Sequence, residues 1–99
     1  MSVCSLLERV TVDTTGKENP MRVFGARELP EEMTIQVAIN GTASVQIQGR
    51  ISKDAPWTDV GQRHEVSALA YLKPIPFLRA VATGVADKSS VSVWATWGW

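Results

Sequence analysis

Residues 33–60 read MTIQVAINGTASVQIQGRISKDAPWTDV. In the first half, Met33, Ile35, Val37 and Ile39 fall on one side of an extended chain, and Thr34, Gln36 and Ala38 on the other. In the second half, Val45, Ile47 and Ile51 share one face, opposite Ser44, Gln46, Gln48, Arg50 and Ser52. Side chains leave a strand alternately to either face, so a period of two marks a strand with one buried side. Asn40-Gly41 lies between the runs. Both residues tolerate positive φ, so the pair predicts a tight β-hairpin.

Shorter runs of the same kind lie on either side. Glu8 to Asp13 (ERVTVD) predicts a strand carrying Val10 and Val12 on one face. Residues 13–20 are turn formers ending in Asn19-Pro20. Met21 to Gly25 predicts another short strand, and Arg27 to Glu32 a charged connector. Ser52 to Pro56 and Gly61 to Arg63 read as turns, with Trp57 just after the first. His64 to Leu72 fits a strand with a bulge or bend, because Pro74 and Pro76 would stop a helix there. Phe77 to Thr83 alternates Leu78, Ala80 and Ala82 against Phe77, Arg79 and Val81, and either row could face inward. Val91 to Trp99 is the last strand, with Val91, Val93, Ala95, Trp97 and Trp99 on one face and Trp94 on the other. Leu6 and Leu7 are adjacent rather than alternating, so residues 1–7 could start a strand or form an N-terminal arm that docks on a neighbour.

About seven or eight short strands with no helical period predict an all-β fold: an antiparallel two-sheet β-sandwich around one core. Strand order is open between Ig-like and jelly-roll topologies. At 99 residues the chain is one domain, residues 1–99. A single cysteine, Cys4, excludes an intrachain disulfide, which fits a protein made in a reducing cytoplasm. MSVCSLLERV lacks the basic leader of a signal peptide, and no apolar run approaches the roughly 20 residues of a membrane helix. Ten basic residues balance ten acidic ones. A nucleic-acid binder that works by neutralising phosphates shows a basic excess, so that class is disfavoured.

Catalytic chemistry has little to work with. His64 is the lone histidine and would have to serve every proton transfer. One histidine among scattered carboxylates is a poor zinc site. Asp54 and Asp59 bracket Trp57, but calcium takes six to eight oxygens. No enzyme activity, metal or cofactor is expected. The tryptophans say more. Four of the seven aromatic residues are Trp, and Trp94, Trp97 and Trp99 crowd the last six positions. A large indole on a strand face anchors interfaces. The candidate interface residues are therefore Trp94, Trp97, Trp99 and Trp57, with Leu6 and Leu7 on the N-terminal arm.

From Thr34 to Trp97 the order of features resembles a small virion module of tailed-phage structural proteins. TIQVAI is followed by a Gly turn. SVQIQGRISKDAPWTDVG then matches a strand, a Gly, a polar turn, Trp-Thr-x-hydrophobic and a Gly. PFLRAVAT supplies a hydrophobic-Leu-Arg strand, and SSVSVWATW the closing V-x-V-x strand. The chain departs from the pattern in its KDAP turn and its Pro74/Pro76 pair. The resemblance implies a capsid decoration, or cement, protein on the virion surface, made in the bacterial host cytoplasm. Its partners would be the major capsid protein and sister copies of itself, with no nucleic acid and no membrane. Two alternatives stand beside it: a carbohydrate- or receptor-binding module stacking sugars on exposed indoles, and a head–tail or tail accessory subunit.

Overall fold

The computed structural model describes residues 2–20, 33–72 and 75–97. The strand expected at 21–25, the connector at 27–32 and Trp99 lie outside the described residues. Nine strands are present among those described: β1 (Ser2–Val10), β2 (Thr14–Thr15), β3 (Asn19–Pro20), β4 (Met33–Asn40), β5 (Ser44–Arg50), β6 (Thr58–His64), β7 (Ala68–Leu72), β8 (Phe77–Thr83) and β9 (Ser90–Trp97). They form two antiparallel sheets. The first runs β1-β9-β4-β7; in the second, β2 and β3 both pair with one side of β8, which is followed by β5 and β6. The all-β sandwich read from the alternation is the fold.

With β2 and β3 taken as two pieces of one interrupted strand, the pairings nest. β1 pairs with β9, β2 and β3 with β8, β4 with β7, and β5 with β6. Nested pairs shared between two sheets in this order make a jelly roll, which decides between the two topologies the sequence leaves open.

The expected hairpin at Asn40-Gly41 does not form. β4 pairs with β9 and β7, while β5 pairs with β8 and β6, so the two strands lie in opposite sheets. Residues 41–43 cross from one sheet to the other. Four Cα steps reach about 13 Å, enough for the ~10 Å between stacked sheets. Met33, Ile35 and Val37 therefore face Val45 and Ile47 across the core instead of lying beside them, and all five are almost wholly buried. Ile51, assigned by parity to the same row, lies beyond the end of β5 and is 78% exposed.

The crossing is held to the neighbouring β8–β9 corner. Thr42 N donates to Ser89 Oγ at 2.9 Å, and Ala86 N donates to the Thr42 carbonyl at 3.0 Å. Leu78, Ala80 and Ala82 are the inward row of β8, and Val91, Val93 and Ala95 that of β9.

Other expectations change at bulges. The first strand starts at Ser2 and ends at Val10, earlier than the predicted 8–13, and it is irregular at two places between Ser5 and Val10. Those irregularities let the adjacent Leu6 and Leu7 both turn inward, at 4% and 5% exposure. Residues 2–7 are thus a core strand rather than an arm. Gly61 to Arg63 is likewise no turn: β6 runs through it, with Gly61 at φ +71° in a bulge opposite β5. After His64, a bend at 65–67 leads into the regular β7.

Gly41 sits at φ +96°, and a Cβ there would collide with Ser89 Oγ. Gly41→Ala should therefore cost about 1–3 kcal/mol, lowering Tm by about 4–8 °C per kcal/mol in a domain of this size. A thermal melt monitored by circular dichroism checks this; an unchanged Tm would mean that the corner relaxes freely.

Candidate functional site on the outer face of the first sheet

The two sheets turn outward very different chemistry. On the first, register places Ser5, Trp94, Gln36 and Leu69 side by side across all four strands. The next row is Val3, Thr96, Thr34 and Tyr71. Neither row holds an Asp, Glu, Lys, Arg or His. Val3 (65%), Leu69 (58%), Tyr71 (65%) and Trp94 (37%) stand exposed on this face. Between them lies a shallow depression of about 220 Å³ lined by Val3, Thr34, Gln36, Leu69, Trp94 and Thr96. Loss of charge together with gain of aromatic residues is the compositional mark of an interface centre, and exposed apolar patches mark interaction sites.

The second sheet's outer face is charged and engaged with itself. Arg50 donates through Nε and Nη2 to Glu18 Oε1 at 3.0 and 2.6 Å, and through Nη1 to the Lys53 carbonyl at 3.0 Å. Arg79 Nε donates to Gln48 Oε1 at 2.8 Å, and Gln48 Nε2 donates to Asp59 Oδ1 at 3.0 Å. The half-buried Trp57 ring is flanked by both guanidiniums, whose central carbons lie 4.5 Å (Arg50) and 4.4 Å (Arg79) from its centroid. These cation–π contacts draw on the negative face of the indole.

The predicted interface residues therefore separate. Trp94 stands on the uncharged face. Trp57 lies on the opposite sheet, clamped by its own chain. Leu6 and Leu7 are buried in the core of this chain. Trp97 ends β9 at the register position between Ser2 and Met33, and Trp99 lies outside the described residues. Sequence reasoning missed Val3, Leu69 and Tyr71 as surface residues. Leu69 and Tyr71 are the odd-numbered row of ALAYL, and the short strand alone does not say which row is outward.

Among the described residues, no three His, Cys, Asp or Glu side chains gather where a metal could sit. His64 is half-buried at the end of β6, on the rim of an apolar groove of about 520 Å³ between the β6 and β7 edges. Asp54 is exposed, and Asp59 is taken up by Gln48. Cys4 is half-buried; desolvation pushes its thiol above the ordinary value, opposed by a backbone hydrogen bond with Ala95. The chain matches no protein-family model, no curated protein and no solved structure.

Two measurements probe the first sheet, one on its outer side at Thr96 and one on its core side at Cys4. Thr96 Oγ1 is buried without a hydrogen-bond partner among the described residues. An unpaired buried hydroxyl is unfavourable by about 1–3 kcal/mol, so the near-isosteric Thr96→Val should raise Tm; a fall would mean that the hydroxyl is paired. Because only the thiolate reacts, Cys4 should alkylate more slowly than an exposed thiol at mildly alkaline pH. Its rate should still be climbing at pH values where an ordinary thiol has levelled off. A reaction as fast as a free thiol's would contradict the burial.

Proposed function

We propose that this chain is a virion structural protein: a capsid decoration, or cement, protein that docks the uncharged outer face of its first sheet on the major capsid protein. The observation that carries the docking half is the two uncharged rows around Trp94, with Val3, Leu69 and Tyr71 exposed beside it. The capsid half rests on the feature order from Thr34 to Trp97. A protein in this role makes and breaks no bonds. It adds buried area across a lattice.

The size of the face suits repetition. Four strands at ~4.8 Å spacing span about 15 Å, and two rows about 7 Å. That is less than the roughly 800 Å² each partner contributes to a standard interface. One copy would bind modestly, and a shell would be reinforced by many copies together. Trp94 is the natural anchor, since buried indoles carry a disproportionate share of binding energy.

A second reading has its own observation. Gln36 and Thr34 offer an amide and a hydroxyl group beside Trp94, a lining on which a sugar ring could stack. Sugar-dependent quenching of Trp fluorescence would favour it.

Co-sedimentation with undecorated and intact phage heads tests the leading reading. The expected result is saturable pelleting at a copy number commensurate with the lattice, weakened about tenfold or more by Trp94→Ala. Absence of pelleting with heads would sink the capsid reading. Equal pelleting by Trp94→Ala would move the contact off this face.

A further inference from the structure

Sheet edges are where sandwiches risk unwanted pairing, and folds blunt them with charges, Pro, bulges or very short strands. Three of the four edge positions among the described residues are blunted here. The β1 edge carries two register shifts, Arg9 at φ +42° and the exposed Glu8 and Arg9. The β6 edge carries the Gly61 bulge with Asp59 and Arg63 exposed. The edge beside β8 is broken into the two-residue β2 and β3.

The β7 edge has none of these devices. Ala68–Leu72 reads ALAYL, without charge, Gly or Pro, in unbroken register with β4 from Ala68↔Val37 to Leu72↔Met33. Among the described residues it pairs with β4 alone, leaving one row of backbone donors and acceptors unpaired. Water solvates such a row one group at a time, whereas another extended strand pairs with all of it at once.

We propose that the occupant is β7 of a second copy, paired antiparallel about a two-fold axis through Ala70. ALAYL is complementary to itself in that register. Leu69 meets the partner's Tyr71 on the outer face, and Tyr71 meets the partner's Leu69. Ala68 meets the partner's Leu72 on the inner face, and the small Ala70 meets its own copy at the axis. Aromatic–aliphatic cross-strand pairs are among the favourable ones, and a two-fold contact uses the same patch on both copies. The pairing makes one eight-stranded sheet from two first sheets. It joins the two uncharged faces into one surface of about double the area. It also covers the rim of the apolar groove beside β7.

The test uses the purified chain alone, so it is independent of the proposed capsid contact. Sedimentation equilibrium should show a reversible dimer. Hydrogen exchange at β7 amides should slow as concentration rises. Tyr71→Lys should weaken the dimer about tenfold, because the two-fold places the lost pair twice. Tyr71 is exposed, so the fold should survive, and Leu69→Glu is the second variant if it does not. Trp94→Ala should leave dimerisation unchanged. A chain that stays monomeric to millimolar concentration, or a dimer indifferent to both β7 variants, would overturn the proposal. Head binding by a monomeric chain would overturn it and leave the capsid reading standing. A dimer that ignores heads would do the reverse.

Discussion

This fold depends on burying two apolar rows against each other across the gap between sheets. Met33, Ile35 and Val37 come from one side, and Val45 and Ile47 from the other. Each fully buried Val, Ile or Met is worth roughly 1.5–3 kcal/mol relative to leaving it in water. A single two-stranded ribbon could not bury both rows, because they would point the same way. Crossing at residues 41–43 turns two neighbouring stretches into opposing walls. Once that crossing exists, β7 and β9 must complete one wall and β6 and β8 the other. The observed pairings complete those walls as a nested jelly roll, with every strand antiparallel to its neighbours. Ser89, which is 3% exposed and accepts from Thr42 N, holds this corner to the next.

Burying the inner faces leaves two outer faces of different chemistry. On the second sheet, the charges are paired with one another: Arg50 with Glu18, Gln48 with both Arg79 and Asp59, and Trp57 against two guanidiniums. Such a network is a stable solvated surface, since each polar group has a partner and each long side chain a place to lie. Displacing it to dock another protein would cost those contacts. The first sheet's rows carry no such network, so covering Trp94, Leu69 and Tyr71 desolvates no charge. The asymmetry ranks the two faces by what it costs to bury them, and the first is the cheaper.

Much of this was legible in the residues. The alternations at 33–39, 45–48, 77–83 and 91–97 mark strands, and their number marks a sandwich. What escaped was anything set by partners distant in sequence. Asn40-Gly41 has the local chemistry of a hairpin turn, yet the core overrode it, because turn preference is worth less than two buried rows. Leu6-Leu7 broke the alternation and hid a strand. The bulges that reconcile it depend on β9, more than 80 residues away in register at Leu7↔Val93. The clamp on Trp57 was not legible, because sequence cannot show Arg79 arriving beside it from another strand. Trp94 was readable, since parity alone sets it opposite Val91, Val93 and Ala95. Its neighbours Val3 and Tyr71 were not, because they join it only through the β1-β9-β4-β7 order.

The unguarded edge and the uncharged face belong to the same sheet, and that coincidence carries weight. A bare edge on the charged sheet would extend a surface that resists covering. On the first sheet, extension by another strand enlarges a surface that gains from being covered. Leu69 and Tyr71 serve both features: each stands in an outer row and each lies on β7. Edge pairing would therefore order two residues of the proposed docking face before any docking, reducing the entropy lost at that step. A sheet of eight strands would also present two Trp94 side chains in fixed relation. Two linked contacts bind far more tightly than either alone when both can engage at once. Weak pairing at the edge and modest affinity at the face would thus reinforce one another, without either needing the area of a permanent interface.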